Sequence, residues 1–194
     1  MGIYSLTWVF QTLYHTLPAS QRKPPSSILS TMAKTASTGA DEDTTMLITF
    51  PTTTPANNLS RTSHAVAMTA LPVDSNPDKQ NSARPAIRIQ GTLGEIQVDG
   101  PAFRPVRYRV IPKKVDNQPA PKVREVENVF PADGHGMYWE ADEAARCVRD
   151  GKLESEGMSW EESVVIMEVM DEVRRQHGLV YPDKIESTDY PIKL

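Results

Sequence analysis

The chain has 194 residues, a formal net charge of −4 and a single cysteine, Cys147. This length is typical of one or two domains, and a hydrophobic share of 39% is enough for a core. The negative charge argues against general affinity for nucleic acid. A lone cysteine excludes an internal disulfide and is typical of a reducing compartment, so we expect a cytoplasmic protein.

The first predicted element is a helix within residues 1–22. Apolar residues recur at spacings of three and four, as one buried helical face requires: Ile3, Leu6, Val9, Phe10, Leu13 and Leu17. Aromatic residues cover much of the opposite side: Tyr4, Trp8 and Tyr14. No Lys or Arg precedes Arg22, which argues against a signal peptide. The apolar run is also shorter than the ~20 residues that cross a bilayer, so we predict no membrane partner.

A β-hairpin is predicted at "AIRIQGTLGEIQV". Ile87 and Ile89 share one face of the first strand. Ile96 and Val98 share one face of the second. The stretch from Gly91 to Gly94 supplies the turn between them.

Residues 23–130 as a whole are predicted to form a sheet. Apolar alternation recurs in further stretches, Met46 to Phe50, His64 to Ala70 and Val106 to Val110. In the last of these, Arg107 and Arg109 are predicted to point outward. About six strands without helices between them indicate a large, open, mostly antiparallel sheet. Residues 72–84 have too little apolar content to pack, which predicts a mobile loop.

Residues 131–182 return to a helical period and predict two helices. The first carries an apolar stripe, Tyr138, Ala141, Ala144, Ala145 and Val148, and ends at Gly151 in a left-handed cap. The second begins at Ser159, where Glu162 completes a capping box, and ends at Gly178. Residues 183–194 form a tail. The predicted fold class is α+β, with a large open antiparallel sheet flanked by helices.

The short motifs in the sequence do not indicate a particular chemistry. Gly91 and Gly94 lie between two strands rather than between a strand and a helix, which indicates a turn and not a phosphate loop. Gly134 and Gly136 precede a helix, but no third glycine follows at the dinucleotide-binding spacing. The four histidines are too scattered to predict a metal site.

Three long stretches occur in order: "GIYSLTWVFQTLYH", "AIRIQGTLGEIQVDGPAFRPVRYRV" and "DGHGMYWEADEAARCVRDGKLES". Together they resemble the C-terminal half of the glucose-fructose oxidoreductase and inositol dehydrogenase family (Gfo/Idh/MocA). Within it they are most similar to the fungal NADP-dependent D-xylose 1-dehydrogenases and the dimeric trans-dihydrodiol dehydrogenases. The resemblance covers Gly2 to about Pro182, apart from the loop at 72–84.

The resemblance implies an oxidoreductase that uses NADP. Family members begin with a Rossmann domain that binds the nicotinamide dinucleotide, and its glycine fingerprint and Glu-Lys-Pro motif do not occur here. We therefore expect this sequence to be the substrate and oligomerisation half, inactive alone, with NADP bound mainly by the other half. No cofactor-binding residue can be assigned.

By resemblance, Tyr4 is the general acid/base of the reaction. Oxidation of a hydroxyl requires removal of the O–H proton while hydride leaves the same carbon. A free tyrosine, with a pKa near 10, is a poor base at neutral pH unless a nearby ammonium favours the phenolate. The alternative interpretation of Tyr4 is a core aromatic residue on a buried helix.

The resemblance also implies that Phe103, Arg104 and Phe130 line the substrate pocket. The alternatives are an aromatic residue at a strand edge and a surface arginine. The helix carrying Tyr138 and Trp139 is expected to act as scaffold.

Two functions remain open. The first is half of a dehydrogenase whose small-molecule substrate is a sugar or a diol, acting as a homodimer formed through the sheet. The second is a non-catalytic dimerisation module, since an open sheet with one apolar face is an association surface. Sequence alone does not decide between sugar and diol, or between NADP and NAD.

Overall fold

The computed structural model describes residues 2–54, 59–83, 85–131 and 134–191. The helices are α1 (Gly2–Phe10), α2 (Met137–Arg149), α3 (Trp160–Gln176) and α4 (Asp183–Glu186). The strands are β1 (Ser27–Lys34), β2 (Asp41–Thr54), β3 (Leu59–Ala70), β4 (Ile87–Gly91), β5 (Gly94–Val98), β6 (Arg107–Pro112) and β7 (Arg124–Glu127). The predicted α+β class is confirmed.

The chain divides into two compact units. The first unit comprises Met1–Leu71 and Glu161–Leu194, and the second unit comprises Pro72–Trp160. Strands pair only with sequence neighbours, in a three-stranded sheet β1-β2-β3 and a four-stranded sheet β4-β5-β6-β7. The expectation of one large sheet therefore fails for the described strands, because residues 71–86 join β3 to β4 without a ladder between those two strands.

In the first unit, the sheet has two distinct faces. Antiparallel register aligns Leu29 with Leu47 and Leu47 with Val66, while Ile48 aligns with Ile28. Because successive side chains of a strand point to opposite faces, Ile48 and its row lie on the buried face. Leu29, Leu47 and Val66 form a row on the exposed face.

The core of the first unit lies between the sheet and the helices α1 and α3. α1 continues into one π-helical turn, Gln11–His15. Rings of Phe10 and Phe50 meet edge to face at 5.4 Å, and those of Phe10 and Tyr14 lie 5.6 Å apart. Phe10 and Tyr14 are thus covered within the first unit, which agrees with a helix that needs neighbours on several sides. Ile3 and Tyr4 remain exposed.

In the second unit, the predicted hairpin is confirmed. Ile87 pairs with Val98 and Ile89 with Ile96 across the turn. The neighbouring β6 does not show the predicted alternation of burial: residues 107–111 are all partly buried, and the Arg109 side chain is only 17% exposed. A buried carboxylate on the same face, described below, accounts for this difference.

The helix α2 ends where predicted, with Gly151 at a φ of +67°. Its predicted apolar stripe is not buried in the described structure, since Val148 is 81% exposed. Cys147 is buried instead, with its Sγ 3.6 Å from the Glu154 carbonyl oxygen, and burial raises the pKa of this thiol. This environment agrees with a packing role for the cysteine.

The described part of residues 72–84 contains no helix or strand. Asn76 is nevertheless buried, and its side-chain oxygen accepts a hydrogen bond from the Asn81 amide at 2.8 Å. Mobility of this loop stays a prediction. None of the helices in the described ranges is long and apolar enough to cross a membrane.

Candidate functional site

An open cavity of about 740 Å³ lies in the second unit. Three segments converge on it: the turn after β5, the chain at and after the end of β7, and the start of α2. The lining residues are Phe103, Pro105, Glu127, Asn128, Val129, Phe130, His135, Gly136 and Trp139. Two of the predicted site residues, Phe103 and Phe130, are among them.

Two aromatic rings form one wall of the cavity. The ring centroids of Phe130 and Trp139 are 4.8 Å apart, tilted by 51°. Gly136 makes this approach possible, because its φ is +88° and a Cβ there would lie 2.8 Å from a Phe130 ring carbon. The sequence "GHGMYW" therefore places Trp139 against Phe130. We call the Phe130 and Trp139 pair the aromatic wall.

Arg104 contacts the aromatic wall from the turn after β5. Its guanidinium carbon lies 4.4 Å from the centroid of the Phe130 ring, within the range of a cation–π contact. Its Nε donates a hydrogen bond of 3.2 Å to the Gly134 carbonyl oxygen. Arg104 is not one of the lining residues. The structure thus brings Phe103, Arg104 and Phe130 together, but gives Arg104 a different position from the other two.

A buried ion pair lies at the base of the turn that carries Phe103 and Arg104. Asp99 is 1% exposed, and its Oδ2 accepts a hydrogen bond of 2.6 Å from Arg107 Nε. Arg109 Nη2 lies 3.8 Å from the other carboxylate oxygen. The bond to Asp99 raises the pKa of Arg107. The pair also includes a backbone hydrogen bond from Asp99 N to Arg107 O, so it fixes where the turn leaves the sheet.

Polar side chains occupy other parts of the lining. Glu127, Asn128 and His135 offer a carboxylate, an amide and an imidazole. Sequence reasoning missed Glu127 and assigned Trp139 to scaffolding alone. The signal for Glu127 was weak because β7 is short and its sequence, "REVE", lacks apolar alternation.

Tyr4 lies in the first unit, on the exposed side of α1. Its side chain is 56% exposed, and its hydroxyl makes no hydrogen bond within the described ranges. The interpretation of Tyr4 as a buried core aromatic is therefore wrong. Its role as general acid/base stays a prediction.

The glycines of the two short glycine motifs have local structural roles. Gly91 and Gly94 close the β4-β5 hairpin, and a Cβ on Gly94 would lie 2.3 Å from the Ile111 carbonyl oxygen, so this glycine serves strand pairing. Gly136 packs on the aromatic wall. In the part of the chain that the structure describes, no group of three or more His, Cys, Asp or Glu residues could hold a metal ion.

Comparison with known proteins finds relatives that are named dehydrogenases. D-xylose 1-dehydrogenase (NADP(+)) of Hypocrea jecorina is 43% identical over 193 residues, which are 100% of this chain and 46% of the relative. Trans-1,2-dihydrobenzene-1,2-diol dehydrogenase of Macaca fascicularis is 26% identical over 94% of this chain and 46% of the relative. The scyllo-inositol 2-dehydrogenase (NADP(+)) of Bacillus subtilis is 34% identical over 48% of this chain and 26% of its own length.

The chain spans less than half the length of the curated relatives that it matches. No protein-family model matches it, and no solved structure matches it significantly.

Proposed function

We propose that the chain is the substrate-binding and self-association half of an NADP-dependent oxidoreductase of the Gfo/Idh/MocA family. The complete enzyme oxidises a CH–OH group by hydride transfer, with D-xylose (giving D-xylonolactone) or a trans-dihydrodiol as substrate. The observation that carries this proposal is similarity to a D-xylose 1-dehydrogenase along the whole chain. The single cysteine is the basis for proposing a cytoplasmic location.

The cavity in the second unit supports a hydroxylated ring as ligand. Its volume is within the usual range for small-molecule sites, roughly 300–1,000 Å³. The aromatic wall offers an apolar surface for the C–H face of a ring. Glu127 can accept hydrogen bonds from hydroxyl groups, and His135 can donate or accept one. Phe103 completes the apolar part of the lining.

Tyr4 is the proposed general acid/base. The phenolate accepts the proton of the substrate hydroxyl, and exposure of the side chain leaves its oxygen accessible to such a group. A nearby cation is required to make a phenol an effective base at neutral pH. In the family that the sequence resembles, a lysine of a Glu-Lys-Pro motif belongs to the cofactor-binding half, and we propose the same here.

NADP is assigned to the enzyme, not to residues of this chain. Two relatives carry NADP(+) in their names, while the described glycines serve a hairpin and an aromatic contact. We propose that the cofactor site lies outside this sequence, on a dinucleotide-binding domain.

The exposed face of the first sheet supports self-association. Leu29, Leu47, Val66 and Met68 are between 42% and 65% exposed there. Neighbouring apolar side chains on one sheet face are typical of a protein interface. The same observation supports the second candidate function, a non-catalytic dimerisation module.

Light scattering tests the association. We expect a dimer for the wild type and dissociation for Val66→Lys. A lysine charge in the row of Leu47 would have to be removed from water at the interface, which costs free energy. Val148→Lys, at an exposed helix position, is the matched control and is expected to leave the dimer intact. A strict monomer at micromolar concentration contradicts the proposal.

Turnover tests the catalytic assignment. In a fusion of this chain to the dinucleotide-binding domain of a relative, Tyr4→Phe is expected to lower turnover with D-xylose by a factor on the order of 10² to 10⁴. Tyr190→Phe, in the exposed tail, is the matched control. Near-normal turnover of Tyr4→Phe overturns the assignment, and a fusion inactive on sugars and diols favours the dimerisation module.

A further inference from the structure

We propose that Arg104 is a positioning residue, which fixes the aromatic wall so that a sugar ring can stack on it, rather than a ligand of the substrate. The inference deepens the proposed function and rests on it only in taking the cavity as the substrate site.

The two contacts of Arg104 both act on the segment that follows β7. Its guanidinium lies over the Phe130 ring at 4.4 Å, and its Nε donates to the Gly134 carbonyl oxygen at 3.2 Å. One side chain thus holds a ring and a backbone group four residues apart in sequence. Since the Phe130 ring also contacts Trp139 at 4.8 Å, Arg104 acts on Trp139 through Phe130.

The turn after β5 divides its side chains between two roles. Phe103 and Pro105 line the cavity, whereas Arg104 between them does not. The guanidinium plane is engaged by an aromatic face, and one of its donors is committed to a carbonyl group. Arginine is suited to this task because its planar group can stack and donate at the same time.

Deep burial does not fix either ring of the aromatic wall. Trp139 is 48% exposed and Phe130 is only partly buried. Trp139 also contacts the ring of its chain neighbour Tyr138 at 4.9 Å, whereas the Arg104 guanidinium lies over the Phe130 ring. A binding surface made of such side chains must be held by neighbouring contacts if its geometry is to be fixed before the ligand arrives. Without Arg104, Phe130 loses one fixed face and Gly134 loses its side-chain hydrogen bond.

The test uses the full chain labelled with 5-fluorotryptophan. Its three tryptophans give three fluorine resonances, and Trp139→Phe assigns the one from the wall. Arg104→Met is expected to shift or broaden the Trp139 resonance and leave the other two in place. It is also expected to weaken D-xylose binding about tenfold, the scale of one cation–π contact and one hydrogen bond.

Two further variants separate positioning from general damage. Arg149→Met, a matched change on the surface of α2, is expected to leave the Trp139 resonance and the D-xylose affinity unchanged. Arg104→Lys keeps a cation and a donor and is expected to fall between the wild type and Arg104→Met in both measurements. A thermal melt of each variant verifies that it is folded.

The outcomes distinguish the inference from the proposed function. An Arg104→Met variant that binds D-xylose weakly with an unmoved Trp139 resonance makes Arg104 a ligand and overturns the inference. Unchanged binding with an unmoved resonance, or an Arg104→Lys variant no better than Arg104→Met, also overturns it. If the wild-type chain binds no D-xylose, the assignment of D-xylose to this cavity fails; a shifted Trp139 resonance then still supports positioning, and an unmoved one overturns it.

Discussion

The two units of the chain bury different kinds of side chain. In the first unit, aromatic and aliphatic residues from α1, β2 and α3 are fully buried, with Leu6, Phe10, Ile48 and Ile166 at or below 1% exposure. In the second unit, the buried apolar residues of the described structure are Val98 and Cys147. A carboxylate, that of Asp99, directly follows Val98 and is buried as well.

This difference separates a unit with an apolar core from a unit whose cavity is bounded by polar contacts. The first unit has the continuous apolar core that dominates folding free energy. The second unit holds its cavity with directed contacts: the Asp99 and Arg107 ion pair, and the stack of Arg104 on Phe130. Loops on a rigid framework commonly carry binding sites. The turn that lines the cavity starts directly after Val98. Val98 is the one buried residue on the apolar face of the described four-stranded sheet.

The largest expected effect belongs to the core of the first unit. Phe10→Ala removes a ring that contacts both Phe50 and Tyr14, and is expected to lower the free energy of unfolding by about 3–5 kcal/mol. Equilibrium denaturation measures this. Phe103→Ala, the same change in the second unit, removes an exposed ring and is expected to cost about 0.5 kcal/mol or less. If the two variants lose similar free energy of unfolding, the proposed difference between the two units is wrong.

A smaller effect is expected for the ion pair of the second unit. Asp99→Asn leaves Arg107 without its carboxylate and is expected to cost about 2 kcal/mol, the scale of a hydrogen bond between charged groups, since Arg107 itself is partly exposed. The rate of hydrogen exchange at the β5 and β6 amides is expected to rise. The control is Asp150→Asn, at an exposed aspartate that also belongs to an ion pair. Equal acceleration in β2 and β3 would show that the two units do not open separately.

The smallest effect concerns a surface pair in the second unit. Arg88 Nε and Nη2 donate to the two carboxylate oxygens of Glu95 at 2.8 and 2.7 Å, and hydrogen bonds from Arg88 and then Gln97 lower the pKa of Glu95 from 4.5 to about 2. Because the pKa is lower in the folded state, the stabilisation is present above pH 4.5 and is lost as the pH falls toward 2.

Arg88→Met should therefore raise the pKa of Glu95 toward its ordinary value, as measured by carbon-detected NMR titration of the carboxyl group. The stability difference between the wild type and Glu95→Gln should narrow as the pH falls below 4.5. A wild-type Glu95 that already titrates near 4.5 contradicts the pairing.

Elements defined by local periodicity could be predicted from the sequence. The β4-β5 hairpin, the end of α2 at Gly151 and the course of α3 follow from turn residues and spacing alone. The burial of Arg109 could not be predicted in this way, because it depends on Asp99 from a different segment. The exposure of the apolar stripe of α2 could not be predicted for a similar reason. A helical period shows which residues share a face, but it does not show what covers that face.

The resemblance predicts that Phe103, Arg104 and Phe130 line a substrate pocket, and that role stays a prediction. The structure places Phe103 and Phe130 in the lining of one cavity. The separate position of Arg104 became visible only from its contacts with Phe130 and Gly134. Glu127 is the last residue of β7, a short strand without apolar alternation, so no pattern pointed to it.

Whether this chain needs a separate cofactor-binding domain is tested by comparing the chain alone with the chain fused to a dinucleotide-binding domain of a relative. NADPH fluorescence titration and D-xylose-dependent reduction of NADP are measured on both. We expect neither cofactor binding nor turnover for the chain alone, and both for the fusion. Saturable NADPH binding by the chain alone would overturn the proposed function, because it would require a cofactor site within these residues.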